Sequence, residues 1–269
     1  VKAGGHHTCA LDSSGKLICW GRNSAGQTSI LPAVLEHGSV VDFDLGQQHT
    51  CAVMEDGKLF CWGENAMGQA TVPSTALSWR RVSAGAAHTC SILEDRTALC
   101  WGDNAYLQAS PPAGKMWIKM SSGFFHSCGI EVGGAALCWG GKGYDENQVD
   151  VPGGSSLKWS DVCAGRSHSC GVLLNGTLLC WGGNEWGQSS PPRRDGWQQV
   201  SCGTAHTCGV ALDGSISCWG STTDNRLLVS PRADLRWSRV SASSEHSCGL
   251  LVSGAISCWG APRDSKLAV

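Results

Sequence analysis

His49-Thr50-Cys51-Ala52-Val53-Met54-Glu55-Asp56-Gly57-Lys58-Leu59-Phe60-Cys61-Trp62-Gly63 is the stretch that decides the fold. Its two cysteines stand symmetrically about Asp56. An antiparallel hairpin with the three-residue loop Glu55-Asp56-Gly57 sets them directly opposite each other, at the ~4.5–5.5 Å Cα separation that a disulfide spans. Such a loop is a type I turn closed by a left-handed residue, normally glycine, and Gly57 supplies it. The pattern recurs seven times with the cysteines always ten apart: Cys9/Cys19, Cys51/Cys61, Cys90/Cys100, Cys128/Cys138, Cys170/Cys180, Cys208/Cys218 and Cys248/Cys258. The third loop position is Gly15, Gly57, Gly134, Gly176, Gly214 or Gly254 in six repeats; Arg96 takes it in the other, where the backbone is expected to carry strain. Each hairpin is expected to be stapled across its own ladder, by roughly 2.5–3 kcal/mol in the chain-entropy account and not additively over the seven.

Outward from the hairpin the repeat continues on both sides. Upstream lies a run that begins near Trp and ends in Val-Ser-Ala-Gly or a variant, as at 79–85. Downstream comes Asn-x-x-Gly-Gln, as at 23–27, 65–69 and 184–188, and then a short segment ending near Pro, as at 70–73. That gives four short strands per unit: A (Trp to Ala-Gly), B (His-Ser/Thr-Cys), C (to Cys-Trp-Gly) and D (Gln to Val-Pro). Four-stranded units repeating at about forty residues predict an all-β, seven-bladed β-propeller of four-stranded blades. The chain is then one propeller over 1–269, with blades at approximately 1–32, 40–73, 79–112, 117–152, 159–192, 197–231 and 237–269. Val1-Lys2-Ala3-Gly4 aligns with Val82-Ser83-Ala84-Gly85, so the chain opens inside a strand A, and 266–269 reads as the last strand D. Closure of the ring is expected to rest on side-chain packing rather than on a shared strand. With neither initiator Met nor signal peptide, the sequence reads as a segment of a longer product.

Sixteen cysteines in 269 residues at strict spacing leave two explanations, disulfides or zinc. Zinc sites favour short Cys-x2–4-Cys knuckles, which are absent, so the disulfide reading is preferred and places the chain outside the cell or on its surface. Two cysteines lie outside the hairpins. Cys163 takes the Ser position of Val-Ser-Ala-Gly in blade five and Cys202 the next position in blade six. One residue of offset flips a strand side chain to the other face, so the two are expected to meet between blades; two free thiols are the alternative. Charge is balanced, 20 Lys plus Arg against 22 Asp plus Glu, which gives no field for nucleic acid. No apolar stretch approaches the ~18 residues of a membrane span, so direct membrane insertion is not expected.

The string Ala-Gly-x-x-His-Thr-Cys-x-Leu, followed by Gly-x-Leu-x-Cys-Trp-Gly-x-Asn-x-x-Gly-Gln, resembles the repeats of the regulator-of-chromosome-condensation family over essentially the whole chain. The short Gln-x-x-Val-Pro segments are similar to those of the secreted propeller that inhibits β-lactamases, and the Cys-Trp-Gly repeats to those of crinkly-type receptor ectodomains. The resemblance implies a propeller that binds partners by its loops; it does not imply which partner.

The seven repeat histidines (His7, His49, His88, His126, His168, His206, His246) form a ring that invites a metal. Their shared repeat position favours one local hydrogen bond each at the start of strand B, and no metal or cofactor is expected. The repeated tryptophans are read as packing between blades. No nucleophile motif, catalytic carboxylate pair or phosphate loop stands out, so an enzyme is not expected. The informative positions are those that vary. With strands antiparallel, the A–B and C–D loops emerge on one face and the B–C hairpin tips on the other. The A–B loops contribute Phe124, Phe125 and Arg166; the C–D loops contribute Met67, Tyr106, Tyr144 and Trp186. Large apolar groups gathered on one loop face are what the centre of an interface uses. The expectation is a protein partner, or a larger extracellular assembly, bound on that face. A glycan stacked on the exposed aromatics, or an architectural role, is the alternative. Asn175-Gly176-Thr177 is a glycosylation sequon at a hairpin tip on the opposite face.

Overall fold

The computed structural model describes residues 1–144, 146–222 and 235–261. Over them the chain forms seven three-stranded antiparallel sheets, each ordered A, B, C along the sequence. In blade two the strands are Val40–Leu45, His49–Met54 and Leu59–Gly63. Cys51 faces Cys61 in the ladder, and Cys9/Cys19, Cys90/Cys100, Cys128/Cys138, Cys170/Cys180, Cys208/Cys218 and Cys248/Cys258 repeat that register. All seven pairs are disulfides, with Cα–Cα separations of 4.0–4.1 Å. That is tighter than the spacing expected from the sequence. Met54 N–H donates to Lys58 O, which makes Cys51/Cys61 a non-hydrogen-bonded pair, where the strands approach most closely. Arg96 holds the left-handed turn position at φ 69°, beside φ 80° at Gly57.

The sequence treats the two ends of each staple alike, and the structure separates them. Cys9, Cys51, Cys90, Cys128, Cys170, Cys208 and Cys248 on the strands B are fully buried. Their partners on the strands C (Cys19, Cys61, Cys100, Cys138, Cys180, Cys218 and Cys258) are only half-buried. Strand B runs down the middle of each sheet, whereas among the described residues strand C is an edge with no ladder neighbour beyond it.

The sheets hold three strands where the sequence predicts four. Among the described residues segment D joins no ladder. Its prolines (Pro73, Pro111, Pro112, Pro152, Pro191, Pro192) cannot donate, and its other groups are taken by the loop before it. Asn65 Oδ1, for example, accepts the N–H of Ala70 at 2.9 Å, and Asn65 Nδ2 donates to Thr71 at 3.0 Å. The strand D expected at 266–269 lies outside the described residues, as does 223–231 of blade six. Two short helical segments break the all-β reading: Pro32–Glu36, which buries Val34 beneath the first interface, and the 3-10 turn Gly154–Ser156.

A three-stranded blade has two faces to cover and too few residues to do so alone. The hydrophobic clusters accordingly lie between blades. Each gap from blade one to blade seven has its own: Cys51, Val53 and Leu59 of blade two, for instance, pack on Trp79, Val82 and Leu93 of blade three. Strand-C tryptophans finish these cores and donate Nε1–H to a backbone carbonyl of the preceding blade, as Trp62 does to Gln27 O at 3.0 Å.

Polar stitches run through the same gaps in three tiers. At the inner edge, a strand-A side chain accepts a strand-A N–H of the next blade: Asp44 from Ala84, Ser83 from Ser122, Ser121 from Ala164, Ser201 from Ala242, and Ser241 from Ala3, at 2.8–3.0 Å. At that position blade five has Cys163, and its disulfide to Cys202 replaces the hydrogen bond. Blade one has Lys2, whose Nζ lies 3.2 Å from Asp44 Oδ1. In the second tier, A–B loop N–H groups donate to glycine carbonyls one blade on, as Ala86 does to Gly123 O at 3.0 Å. A Cβ on Gly85 would lie 2.4 Å from His88 Cε1 and 2.5 Å from Gly123 O. Gly85→Ala is expected to cost about 3 kcal/mol by overpacking, read as a lowered urea midpoint; an unchanged midpoint would refute the close approach.

The third tier is the histidine ring. Each fully buried imidazole reaches not a local group but the hydroxyl of the next blade: His7 to Thr50, His49 to Thr89, His88 to Ser127, His126 to Ser169, His168 to Thr207, His206 to Ser247 and His246 to Thr8, all at 2.7–2.9 Å. The last of these joins blade seven to blade one, so among the described residues the ring is closed through side chains, with no ladder shared by the two blades. Thr50, Thr89, Ser127, Ser169 and Thr207 in turn donate to the carbonyls of Gln27, Gln69, Gln108, Gln148 and Gln188. A hydroxyl that donates there must accept from the histidine, which puts a hydrogen on Nε2 of those rings. Burial, the leading cause in each case, holds His7, His49 and His126 down to about 3 and His88 and His168 down to about 4.

Candidate interaction face

The Asn-x-x-Gly-Gln motif builds the C–D loops. Its Gln folds back so that Oε1 accepts the N–H two residues earlier: Gln69 from Met67, Gln108 from Tyr106 and Gln188 from Trp186, at 2.8–2.9 Å. Its Asn pins the far side, as Asn184 Oδ1 does from Ser189 N–H at 2.9 Å. With the backbone so held, the side chain two before the Gln stands away from it. Met67 is 59% exposed and Trp186 54%. Blade four departs from this geometry. Glu146 takes the bond to Gln148, and Tyr144 stands two residues before Glu146, because this loop is two residues longer between its Trp and its Gln.

That departure brings Tyr144 onto Phe125, with ring centroids 4.7 Å apart. Tyr106 of blade three meets the same ring at 4.9 Å, Phe124 lies 6.1 Å away, and the Arg166 guanidinium of blade five hangs 6.0 Å over it. Five of the seven sequence-expected contact residues therefore form one cluster across blades three, four and five, with Phe125 at the centre. Edge-on aromatic contacts and a cation over a ring are both attractive, so the group is ordered before any partner arrives. Among the described residues Trp186 and Met67 share no ring contact with it. Both face solvent on neighbouring loops.

Leu107 escaped the sequence reading. It stands 45% exposed beside Tyr106 at φ 63°, where Gly26, Gly68 and Gly187 hold φ 77–81° and Asn147 holds φ 61°. The signal was present: Asn104-Ala105-Tyr106-Leu107-Gln108 breaks the Asn-x-x-Gly-Gln rule at its glycine. A left-handed leucine costs of order 1 kcal/mol, and such costs gather at functional loops.

Apolar exposure is not confined to this face. The hairpin tips of blades four to seven carry Val132, Leu174, Leu212 and Val252 at 50%, 71%, 72% and 70% exposure, where blades one to three have Ser13, Glu55 and Glu94. Asn175 lies exposed among those tips, its Oδ1 accepting Thr177 N–H at 3.0 Å.

Each Nε2 of the histidine ring is committed to a hydroxyl of the next blade. Among the described residues, the grouping of metal ligands within reach of one another is Cys163, Cys170 and Cys202, and all three are in disulfides. No helix of the described residues is long and apolar enough to cross a membrane.

These features define a disulfide-stapled repeat propeller. The profile of the regulator of chromosome condensation (RCC1) repeat matches residues 1–27, 40–69, 79–108, 159–188 and 197–226, more than half of the chain, and the chain belongs to that family. Blade four, which holds most of the aromatic cluster, is one of the two blades the profile passes over. The chain is similar in fold to the ectodomain of the receptor kinase CR4 from Physcomitrella patens, with TM-score 0.78 and 24% identity over 97% of this chain and 72% of that one. The crinkly WD40 ectodomain of the Arabidopsis thaliana receptor kinase ACR4 superposes with TM-score 0.77 and 24% identity, covering 97% and 93%. Prp20p of Saccharomyces cerevisiae, described with its binding to Gsp1p and histones, gives TM-score 0.75 and 15% identity, covering 94% and 82%. No curated protein sequence matches the chain.

Proposed function

We propose that the chain is an extracellular protein-recognition module, without catalytic activity, that binds a partner protein through its A–B/C–D loop face. The observation that carries this reading is the Phe125 cluster: five side chains from three blades, centred on blade four, whose loop departs from the repeat. Preordered loops on a rigid ring keep the entropy cost of association low. Eight disulfides with no free cysteine support an oxidising compartment. Two of the structural relatives are receptor ectodomains, and a third binds proteins, which supports the same class of role.

Photo-crosslinking side chains placed at Tyr144 and Trp186, and at Leu212 on the opposite face, test the reading on native cell-surface material. The expected result is one shared protein adduct from Tyr144 and Trp186 and none from Leu212; adducts from Leu212 alone would overturn it. Phe125→Ala is expected to weaken the captured partner's binding about thirtyfold, the scale of a hot-spot residue. Exposed Trp186 favours one second reading, a glycan stacked on its ring. Glycan-array binding that disappears in Trp186→Ala, with no protein adduct, would select it.

A further inference from the structure

The gap between blades five and six differs from the others in having two disulfides in line. Cys163 is bonded to Cys202 across the gap, and directly opposite Cys163 in the ladder stands Cys170, itself bonded to Cys180. The sulfurs of Cys163, Cys170 and Cys202 all lie within 4.8 Å of one another. At other gaps the corresponding hairpin sulfur meets a hydroxyl of the next blade: Cys90 meets Ser127, Cys128 meets Ser169 and Cys208 meets Ser247, at 3.5–3.9 Å.

This line of sulfurs opens on the centre of the ring. Cys163 borders both cavities of the central channel, about 140 and 200 Å³, and Cys202 borders the one bounded by the A–B loops. Cys202 is half-buried, Cys163 is 5% exposed and Cys170 is sealed. A thiol entering the channel therefore meets the Cys163–Cys202 bond first, through Cys202, and the hairpin bond only behind it.

We propose that these four cysteines form a thiol–disulfide exchange site whose substrate is a small thiolate admitted by the central channel. The thiolate attacks Cys202 Sγ, the Cys163–Cys202 bond breaks, and Cys163 leaves with the electron pair. The Cys163 thiolate then attacks Cys170 Sγ; the Cys170–Cys180 bond breaks, and Cys180 leaves as a thiolate that takes a proton from water. The chain ends with the incoming group on Cys202, a Cys163–Cys170 disulfide and one thiol at Cys180. Two disulfides and one thiol enter, two disulfides and one thiol remain, and nothing is oxidised or reduced overall. The covalent stitch between blades five and six opens, while the His168–Thr207 clasp still joins them.

The native protein is treated with free cysteine, quenched with N-ethylmaleimide and digested with trypsin without reduction. Cleavage after Arg166 separates Cys163 from Cys170, so a bond between them shows as a linked peptide pair. The expected products are a cysteine adduct on Cys202, a Cys163–Cys170 link, and maleimide on Cys180 at about ten times the level on any other hairpin cysteine. Maleimide on Cys163 with Cys170–Cys180 intact, labelling spread evenly over the hairpins, or no adduct at all would each overturn the proposal.

Discussion

Acidification from about pH 7 to about pH 5 is expected to take the ring apart while every disulfide stays in place. The cause is the histidine clasp. In the unfolded chain each imidazole takes a proton near its ordinary value of 6.5, whereas burial holds His7, His49 and His126 at about 3 and His88 and His168 at about 4. Below 6.5 the unfolded state therefore binds more protons than the folded one. The stability these groups support is fully present above 6.5 and is lost as pH falls toward their folded values. At about pH 5 each costs about 2 kcal/mol, and five acting independently cost of order 10 kcal/mol, as much as a whole domain commonly has. A second proton has nowhere to go. Nδ1 of each of these five rings is buried without a hydrogen-bond partner, and at His7, His49, His88 and His168 it lies against the glycine that follows strand A. Urea midpoints and near-ultraviolet circular dichroism of the interface tryptophans, followed against pH, read the loss directly. A stability that is flat across that interval contradicts the neutral buried ring.

Full reduction of the cystines is expected to abolish the fold at physiological temperature. A blade consists of three strands of mostly five or six residues, and its apolar clusters are completed by the blade beside it. It therefore cannot hold itself together before its neighbours form, and three isolated short strands are marginal in water. The hairpin disulfide supplies what local packing does not: it fixes the B–C register in the chain before the ring assembles. Removing one staple, as Cys128→Ser with Cys138→Ser, is expected to cost about 3 kcal/mol, and loss of all seven to leave no cooperative thermal transition. A fully reduced chain that keeps its near-ultraviolet tryptophan signal would show that packing alone suffices.

The hairpins were legible because their information is local. Ten residues between cysteines, with a glycine third in the loop, specify turn, register and partner together, and Arg96 showed in advance as the strained exception. The unequal burial of the two sulfurs in each staple was not legible, because it follows from which strand is the edge, and segment D read as a strand that would cover it. Its Val-Pro endings gave that impression, and the prolines that end it are what keep it from pairing. Cys163 and Cys202 were legible through strand alternation. The target of the histidines was not, because it lies about forty residues downstream. Yet the motif held a clue: the Ser or Thr written after each His is the acceptor for the His of the previous blade. On the loop face, residue type identified the aromatic cluster but not its membership. Tyr106 stands two residues before its Gln and Tyr144 four before its own, yet both meet Phe125, while Trp186 and Met67 stay apart. The apolar hairpin tips went unread because Leu174, Leu212 and Val252 each look like the ordinary end of a strand.

Nitrogen NMR of the imidazoles across a pH titration tests the central claim, that neutral histidines buried between blades hold the ring closed. His7, His49, His88, His126 and His168 are predicted to remain Nε2–H tautomers, without titrating, until the protein unfolds. Titration of any of them in the folded ring near the ordinary imidazole value of 6.5 would contradict it.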